Sequence, residues 1–210
     1  ATLDLYLNPT IFRYLRLIFE RPPVATQSLY FEWGSQQQLH RDPVHVVMKP
    51  PSHLAAAWIA LEDLEPGCGP LTYVAGSHRL PYYQIEPGEY RFDHYKHTDQ
   101  DAEAMSRWDL ENCERHGLEV KPFLARRGQV LLWHHSLLHG GSYPEDPALT
   151  RKSFVVHYTT MDHYERAAQT VMLRDAPGAD PQPHQVASFR VLGRDGCYGF
   201  ASPLAVGSSA

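Results

Sequence analysis

The sequence predicts a mainly β protein, a jelly-roll barrel with a few flanking helices, and three observations carry that prediction. About eight short runs rich in β-branched and aromatic residues recur along the 210 residues. Turn-forming pairs such as Pro66-Gly67 and Gly69-Pro70 separate them. One amphipathic helix near the N-terminus offers an apolar face to a sheet, and many short strands with so little helix suit a jelly roll.

In chain order, Asn8-Pro9 opens a stretch with Ile11, Phe12, Leu15, Ile18 and Phe19, and Pro22-Pro23 closes it. An Asn cap, a Pro at the first helical position and a proline stop read as a helix packed on the back of a sheet. Val24 to Trp33 is strand-like. Leu54 to Leu64 is Ala-rich, and its periodicity alone fits a helix or a buried strand. The sharp ends at Pro66-Gly67 and Gly69-Pro70 select strand, with Leu71 to Ala75 as its hairpin partner. From Arg79 to Lys121 the strand rhythm breaks. Tyr82, Tyr83, Tyr90, Phe92, His94, Tyr95 and His97 precede a charged helical segment from Asp99 to about His116. A long insertion between strands reads as a lid over a pocket, the alternative being a surface excursion without ligand contact. Val120 to Leu124 and Val130 to Trp133 resume the strands, Gly140 to Pro147 is a turn-rich connection, and Arg151 to Thr159 is another strand. Asp175 to Pro183 reads as loop and Val186 to Leu192 as a last strand. With no repeat or linker, residues 1–210 are expected to form one domain with a lid at 79–121.

Composition narrows the function classes. Nineteen basic against 24 acidic residues give a net charge of -5 without a basic block, which disfavours nucleic acid and anionic membranes as partners. Cys68, Cys113 and Cys197 are widely spaced and lack a Cys-x-x-Cys pair, so free thiols in a reducing, cytoplasmic setting are expected. No apolar run reaches the length of a membrane span, and the N-terminus lacks the order of a signal peptide. The sequence begins at Ala1, which leaves room for an upstream segment.

The chemistry concentrates in His40-Arg41-Asp42 and in Trp133 to Ser142. Residues two apart in an extended segment point the same way, so His40 and Asp42 can aim an imidazole and a carboxylate at one point. If His139 adds an imidazole, the set is the two-histidine, one-carboxylate face of non-haem Fe(II) oxygenases, with positions left open. His135 and His139 have the i, i+4 spacing of a helical zinc pair, but the Glu of His-Glu-x-x-His is absent and the surroundings read as strand.

Further motifs follow in order: Trp58 to Asp63, Gly69 to His78 with its Gly76-Ser77-His78, Gly128 to Trp133, His139-Gly140-Gly141-Ser142 and Thr150-Arg151-Lys152-Ser153. Together with His40-Arg41-Asp42 this series resembles the phytanoyl-CoA dioxygenase family of Fe(II)- and 2-oxoglutarate-dependent oxygenases, from about Val24 to His157. The resemblance implies a double-stranded β-helix, and His40, Asp42 and His139 as iron ligands. It implies Arg151, twelve residues past His139, as the partner of the far carboxylate of 2-oxoglutarate. A guanidinium can hold a carboxylate through two parallel hydrogen bonds, and Lys152, on the other face, cannot. Trp58 matches a family tryptophan near the cosubstrate and serves equally as core. Gln37 and Ser142 are candidate polar neighbours of the cosubstrate. Gly76 reads as turn chemistry and His78 as structural. Two residues depart from the family pattern: Arg41 stands where Gln is frequent, and no Asn follows the second histidine motif at Tyr143-Pro144-Glu145.

The resemblance further implies Fe(II) as cofactor, with 2-oxoglutarate and O2 as cosubstrates, oxidation of a substrate C–H bond, and release of succinate and CO2. Related halogenases replace the ligand carboxylate by a small residue, so Asp42 points to hydroxylation or desaturation. The chain is acidic, with Arg126-Arg127 and Arg151-Lys152 as its compact basic features, which disfavours an acyl-CoA substrate. The Tyr- and His-rich insertion suits a polar small molecule, a natural-product intermediate or saccharide. Two other readings stand beside this one: a cupin-like metal enzyme without 2-oxoglutarate, and a non-catalytic binding protein on the same scaffold.

Overall fold

The N-terminal helix is built as its sequence requires. In the computed structural model, which describes residues 2–45, 53–93, 95–160, 190–194 and 197–201, Asn8 caps α2 (Pro9–Phe19). Its Oδ1 accepts from the backbone N–H groups of Thr10 and Ile11. A short α1 (Thr2–Tyr6) precedes it, and β1 (Pro23–Phe31) follows. The remaining elements are α3 (Asp42–His45), β2 (Ala55–Ala60), β3 (Leu71–Val74), α4 (Asp99–Arg115), β4 (Val120–Phe123), β5 (Val130–His134), β6 (His139–Gly141), β7 (Ser153–Thr160), β8 (Arg190–Arg194) and β9 (Cys197–Ala201). The described residues form two compact units, one comprising those up to Ser28, His53 and those from Val156 onward, the other comprising those between Leu29 and His45 and between Leu54 and Val155.

In the first unit, α2 buries Ile11, Phe12, Leu15 and Phe19, and Phe12 meets Tyr158 of β7 edge to face. Ile18, counted in the apolar stripe from sequence, instead faces solvent, since it lies off the line through positions 11, 12, 15 and 19. The Tyr6 hydroxyl donates to the Ala25 carbonyl and the Thr26 hydroxyl to that of His157. β9 runs parallel to β1 and antiparallel to β8. A strand is thus present from Arg190, as expected, but it is not the last, since β9 follows it; residues 186–189 and the expected loop Asp175 to Pro183 lie outside the described residues, as does His94.

In the second unit, β2 pairs antiparallel with β5, and β3 lies between β4 and β6, antiparallel to both. This corrects the expected hairpin of Leu54–Leu64 with Leu71–Ala75. A 3-10 turn at Pro66–Cys68 and the left-handed Gly69 (φ 71°) carry β3 into another sheet, where β2 is no neighbour. A side chain on Gly69 would also collide with the backbone at Ser142, 2.6 Å from its carbonyl oxygen. Gly140 and Gly141, expected in a turn, are strand residues. Their missing side chains let the 36–38 backbone pack directly on β6, for a Cβ at Gly140 would lie 2.8 Å from the Gln37 oxygen. A Gly140→Ala variant is expected to lose about 1–3 kcal/mol, the usual cost of overpacking, readable as a lowered urea midpoint with unchanged slope.

The insertion contains α4, capped by Thr98 and Asp101 in a reciprocal capping box. Cys113 of α4 clusters with Val74 and Leu138, with Leu39, Leu80 and Leu118 against them. The packed face of α4 thus borders the segments that carry His40 and His139. A second cluster, of Ala56, Trp58, Leu71, Trp133, Leu137 and Val155, fills the interior of this unit.

Candidate metal centre

Two histidines are set opposite each other by backbone pairing. His40 and His139 exchange both hydrogen bonds of an isolated antiparallel bridge, at 2.8 and 3.0 Å, and their rings are 4.6 Å apart. Asp42 completes the group, with one ligand atom of each residue lying within 4.8 Å of the others. Asp42 is the first residue of α3, which begins just after the bridge, and its carboxylate reaches the same point as the His40 imidazole two residues earlier.

The hydrogen bonds around the three residues orient their side chains from behind. His139 Nδ1 lies 3.0 Å from the Leu137 carbonyl and His40 Nδ1 lies 2.8 Å from that of Gln38. A carbonyl only accepts, so in each ring Nδ1 carries the hydrogen and Nε2 keeps a lone pair. Asp42 Oδ2 accepts from the Trp133 indole N–H at 2.7 Å, and Oδ1 is the oxygen facing His139 Nε2, at 3.6 Å. Asp42 and His139 are both buried. A carboxylate and two imidazoles, oriented from behind, fit a divalent iron.

Trp133 was read from sequence only within longer stretches and given no role of its own, yet its ring lies 4.4 Å from that of His139 while its N–H holds Asp42. Removing that donor in Trp133→Phe is expected to weaken Fe(II) binding about 10–100-fold, as loss of a ligand-orienting partner does, readable by competition with a chelator. Ser77, not His78, is the important residue of Gly76-Ser77-His78. Its hydroxyl donates to the Val74 carbonyl and accepts from Leu138 N–H, which fixes the backbone just before His139. Gly76 has the turn conformation expected of it (φ 93°).

Arg151 precedes β7 and is 1 % exposed. One guanidinium nitrogen donates to the Gly69 carbonyl at 3.1 Å, Nε has no partner among the described residues, and no carboxylate there pairs with it. Burial pushes it down to about 10, still far enough above neutrality to keep it charged. Glycines make room for the guanidinium: Cβ atoms at Gly34 and Gly141 would lie 3.5 and 3.4 Å from its atoms. Gly141 is two residues from His139 along β6, a separation of about 6–7 Å. Lys152 turns the other way and faces Glu62.

The other expected residues are placed as follows. Trp58 is buried in the interior cluster beside Phe123, its indole N–H without a partner among the described residues. Ser142 donates its hydroxyl to the Pro70 carbonyl. Gln37 accepts from Gly141 N–H through its backbone, and its side chain is exposed. The His135–His139 pair is not helical: His135 lies in a turn, its Nδ1 near the Tyr82 and Ser136 hydroxyls. The i, i+4 zinc geometry is therefore absent, because the chain between the two histidines is turn and strand. A cavity of about 180 Å³ lies between the metal loop and the insertion, with Gln37, Gln38 and His40 on one side and Phe92, Met105 and Ser106 on the other.

A family model described as phytanoyl-CoA dioxygenase (PhyH) matches residues 8–143, well over half of the chain. The chain belongs to the phytanoyl-CoA dioxygenase family. The members of this family are oxygenases whose cofactor is Fe(II) and whose cosubstrates are 2-oxoglutarate and O2. The family match includes His40, Asp42, Trp133 and His139 and ends before Arg151. Among solved structures, the chain is similar to EctD from S. alaskensis with 2-oxoglutarate and 5-hydroxyectoine, at 20% identity and a TM-score of 0.56 over 77% of this chain and 52% of that one. It is equally similar to EctD with bound Fe, at 20% identity and TM-score 0.56, over 77% and 53%. The non-heme alpha ketoglutarate dependent carbocyclase SnoK from nogalamycin biosynthesis matches at 19% identity and TM-score 0.56, over 87% of this chain and 68% of SnoK. The chain thus spans about half the length of EctD. These likenesses give the fold, the double-stranded β-helix or jelly roll of this dioxygenase family. No curated protein matches the chain in sequence. No helix among the described residues is long and apolar enough to cross a membrane.

Proposed function

We propose that this chain is an Fe(II)- and 2-oxoglutarate-dependent dioxygenase that hydroxylates a C–H bond of a small organic substrate, releasing succinate and CO2. The observation that carries the reading is a buried arginine without a carboxylate partner among the described residues, next to the strand that bears His139. A buried, uncompensated guanidinium is costly, and an anionic ligand removes the cost. His40, Asp42 and His139 would hold the iron through Nε2, Oδ1 and Nε2. The bound iron would couple oxidative decarboxylation of 2-oxoglutarate by O2 to oxidation of the substrate. Arg151 would take the far carboxylate, and the separation along β6 from His139 is on the scale of a five-carbon diacid. Trp133 holds the Asp42 carboxylate in place, and the interior apolar cluster keeps bulk water from that side.

We assign hydroxylation rather than halogenation because Asp42 supplies the carboxylate that a halide would have to displace. Within one oxygenase domain, the 79–121 segment would act as the lid, supported by its packing near the metal loop. The cavity beside His40 would admit the substrate, and its mixture of amide, hydroxyl and apolar lining suits a polar natural-product intermediate or saccharide with an apolar portion. Free, buried Cys68 and Cys113 support a reducing, cytoplasmic setting. Anaerobic titration of the Fe(II)-loaded protein with 2-oxoglutarate tests the reaction class. A weak visible charge-transfer band of the chelate is the expected result. Iron binding without that band would favour the cupin-like metal enzyme, and failure to bind iron with intact folding would favour the binding-protein reading.

A further inference from the structure

Arg41 stands between two of the candidate ligands in sequence, and its side chain is fully buried. It points away from them into the insertion. One terminal nitrogen donates to Asp109 Oδ1 of α4 at 2.7 Å, and the other donates to the Leu80 carbonyl at 2.8 Å. The guanidinium also lies over the Tyr82 ring, 4.9 Å from its centre. Tyr82 continues the connection, for its hydroxyl is 2.5 Å from Ser136 Oγ in the turn that leads to His139. Burial pushes the Tyr82 phenol above its ordinary value, which keeps it protonated and able to donate. The result is a closed circuit: metal loop, insertion, the turn before His139, and back through the His40–His139 bridge.

That circuit has a specific consequence for Asp42. His40 and His139 are aligned by two backbone hydrogen bonds to each other, whereas Asp42 begins a one-turn helix outside the bridge. The residue immediately before it is tied to α4 through a charge-assisted, buried ion pair. We propose that Arg41 is a positioning residue for the metal centre. Through Asp109, Leu80 and Tyr82 it clamps the Asp42-bearing turn to the 79–121 segment, so that the insertion sets the arrangement of the ligands as well as covering them. This rests on the reading of His40, Asp42 and His139 as a metal centre. It also gives a physical reason for Arg in place of the Gln frequent in the family: a fork of donors is needed to reach a carboxylate and a carbonyl at once.

The test uses Co(II) as the probe, titrated anaerobically and read by its visible absorption, beside urea unfolding of the metal-free proteins. Four variants are compared with wild type: Arg41→Met, Asp109→Leu, the double variant, and Arg41→Lys. Each single apolar substitution leaves a buried charge unpaired, so both stability and Co(II) affinity are expected to fall. The double variant removes both charges and is expected to recover stability. Its Co(II) affinity should stay about tenfold or more below wild type, with shifted absorption bands, because the clamp is still missing. Arg41→Lys, which keeps the charge and loses the fork, is expected to fold as wild type and to bind Co(II) about two- to fivefold more weakly, the worth of one hydrogen bond. Wild-type affinity and bands in the double variant, or in Arg41→Lys, would show that the pair serves stability alone and overturn the proposal. Absence of Co(II) binding to wild type would instead overturn the metal-centre reading itself.

Discussion

Replacing His139 by alanine is expected to lower Fe(II) affinity by about a hundredfold or more, beyond the 10–100-fold cost of losing an orienting partner, and to remove 2-oxoglutarate decarboxylation. His139 has other contacts besides its place in the proposed site. Its Nε2 faces Asp42 Oδ1 at 3.6 Å, its ring packs at a tilt against Trp133, and its backbone forms the bridge to His40. The bridge is made by main-chain atoms, so it survives the substitution and the protein should still fold. Asp42→Ala is expected to give a similar loss of iron, with a further readout. The indole N–H of Trp133 loses its acceptor in a buried setting, and indole fluorescence should respond. Equilibrium dialysis against Fe(II) under anaerobic conditions, with circular dichroism for folding, separates ligand loss from unfolding. Wild-type iron affinity in well-folded His139→Ala would remove this residue from the metal centre.

Arg151→Met is expected to leave iron binding intact and to weaken 2-oxoglutarate by about 30-fold to 1000-fold, the cost of about 2–4 kcal/mol for truncating one partner of a buried charge pair. The metal-free protein should behave in the opposite way to most core variants. Burial already works against the Arg151 charge, as its depressed pKa of about 10 reflects, and no described carboxylate offsets it. An apolar side chain of similar length removes that penalty and leaves the Gly69 carbonyl without its donor. The two effects oppose each other, so unfolding free energy is expected to stay within about 1 kcal/mol of wild type. Arg151→Lys should fall between, since an ammonium supplies charge without the two parallel donors. Full 2-oxoglutarate affinity in Arg151→Met would assign the buried arginine to another anion and favour an enzyme that does not use 2-oxoglutarate.

How much of this was legible in the sequence varied with the range of the interactions. The α2 helix and its Asn8 cap, the α4 helix near Asp99–His116 and the short strands could be read directly, because capping residues, turn glycines and apolar spacing act over a few positions. Strand partnership could not. Leu71–Val74 reads as the hairpin partner of the preceding strand, yet Gly69 and the turn before it send it to β4 and β6. The Gly140-Gly141 pair looks like a turn until the 37–38 backbone is found against it, a contact between residues a hundred positions apart.

At the site, the sequence by itself determined the chemistry on offer. Two histidines and an aspartate in family order, and an arginine twelve residues beyond, are the groups proposed as metal donors and anion partner. What only the tertiary structure decided is how those groups are held. Trp133 on Asp42, Ser77 on the backbone before His139 and the Arg41–Asp109 pair all join residues far apart in the chain. Residue type sets which bonds a side chain can make. Their partners depend on long-range packing, in which tryptophan, serine and aspartate carry no mark that separates a support for the site from an ordinary member of the core.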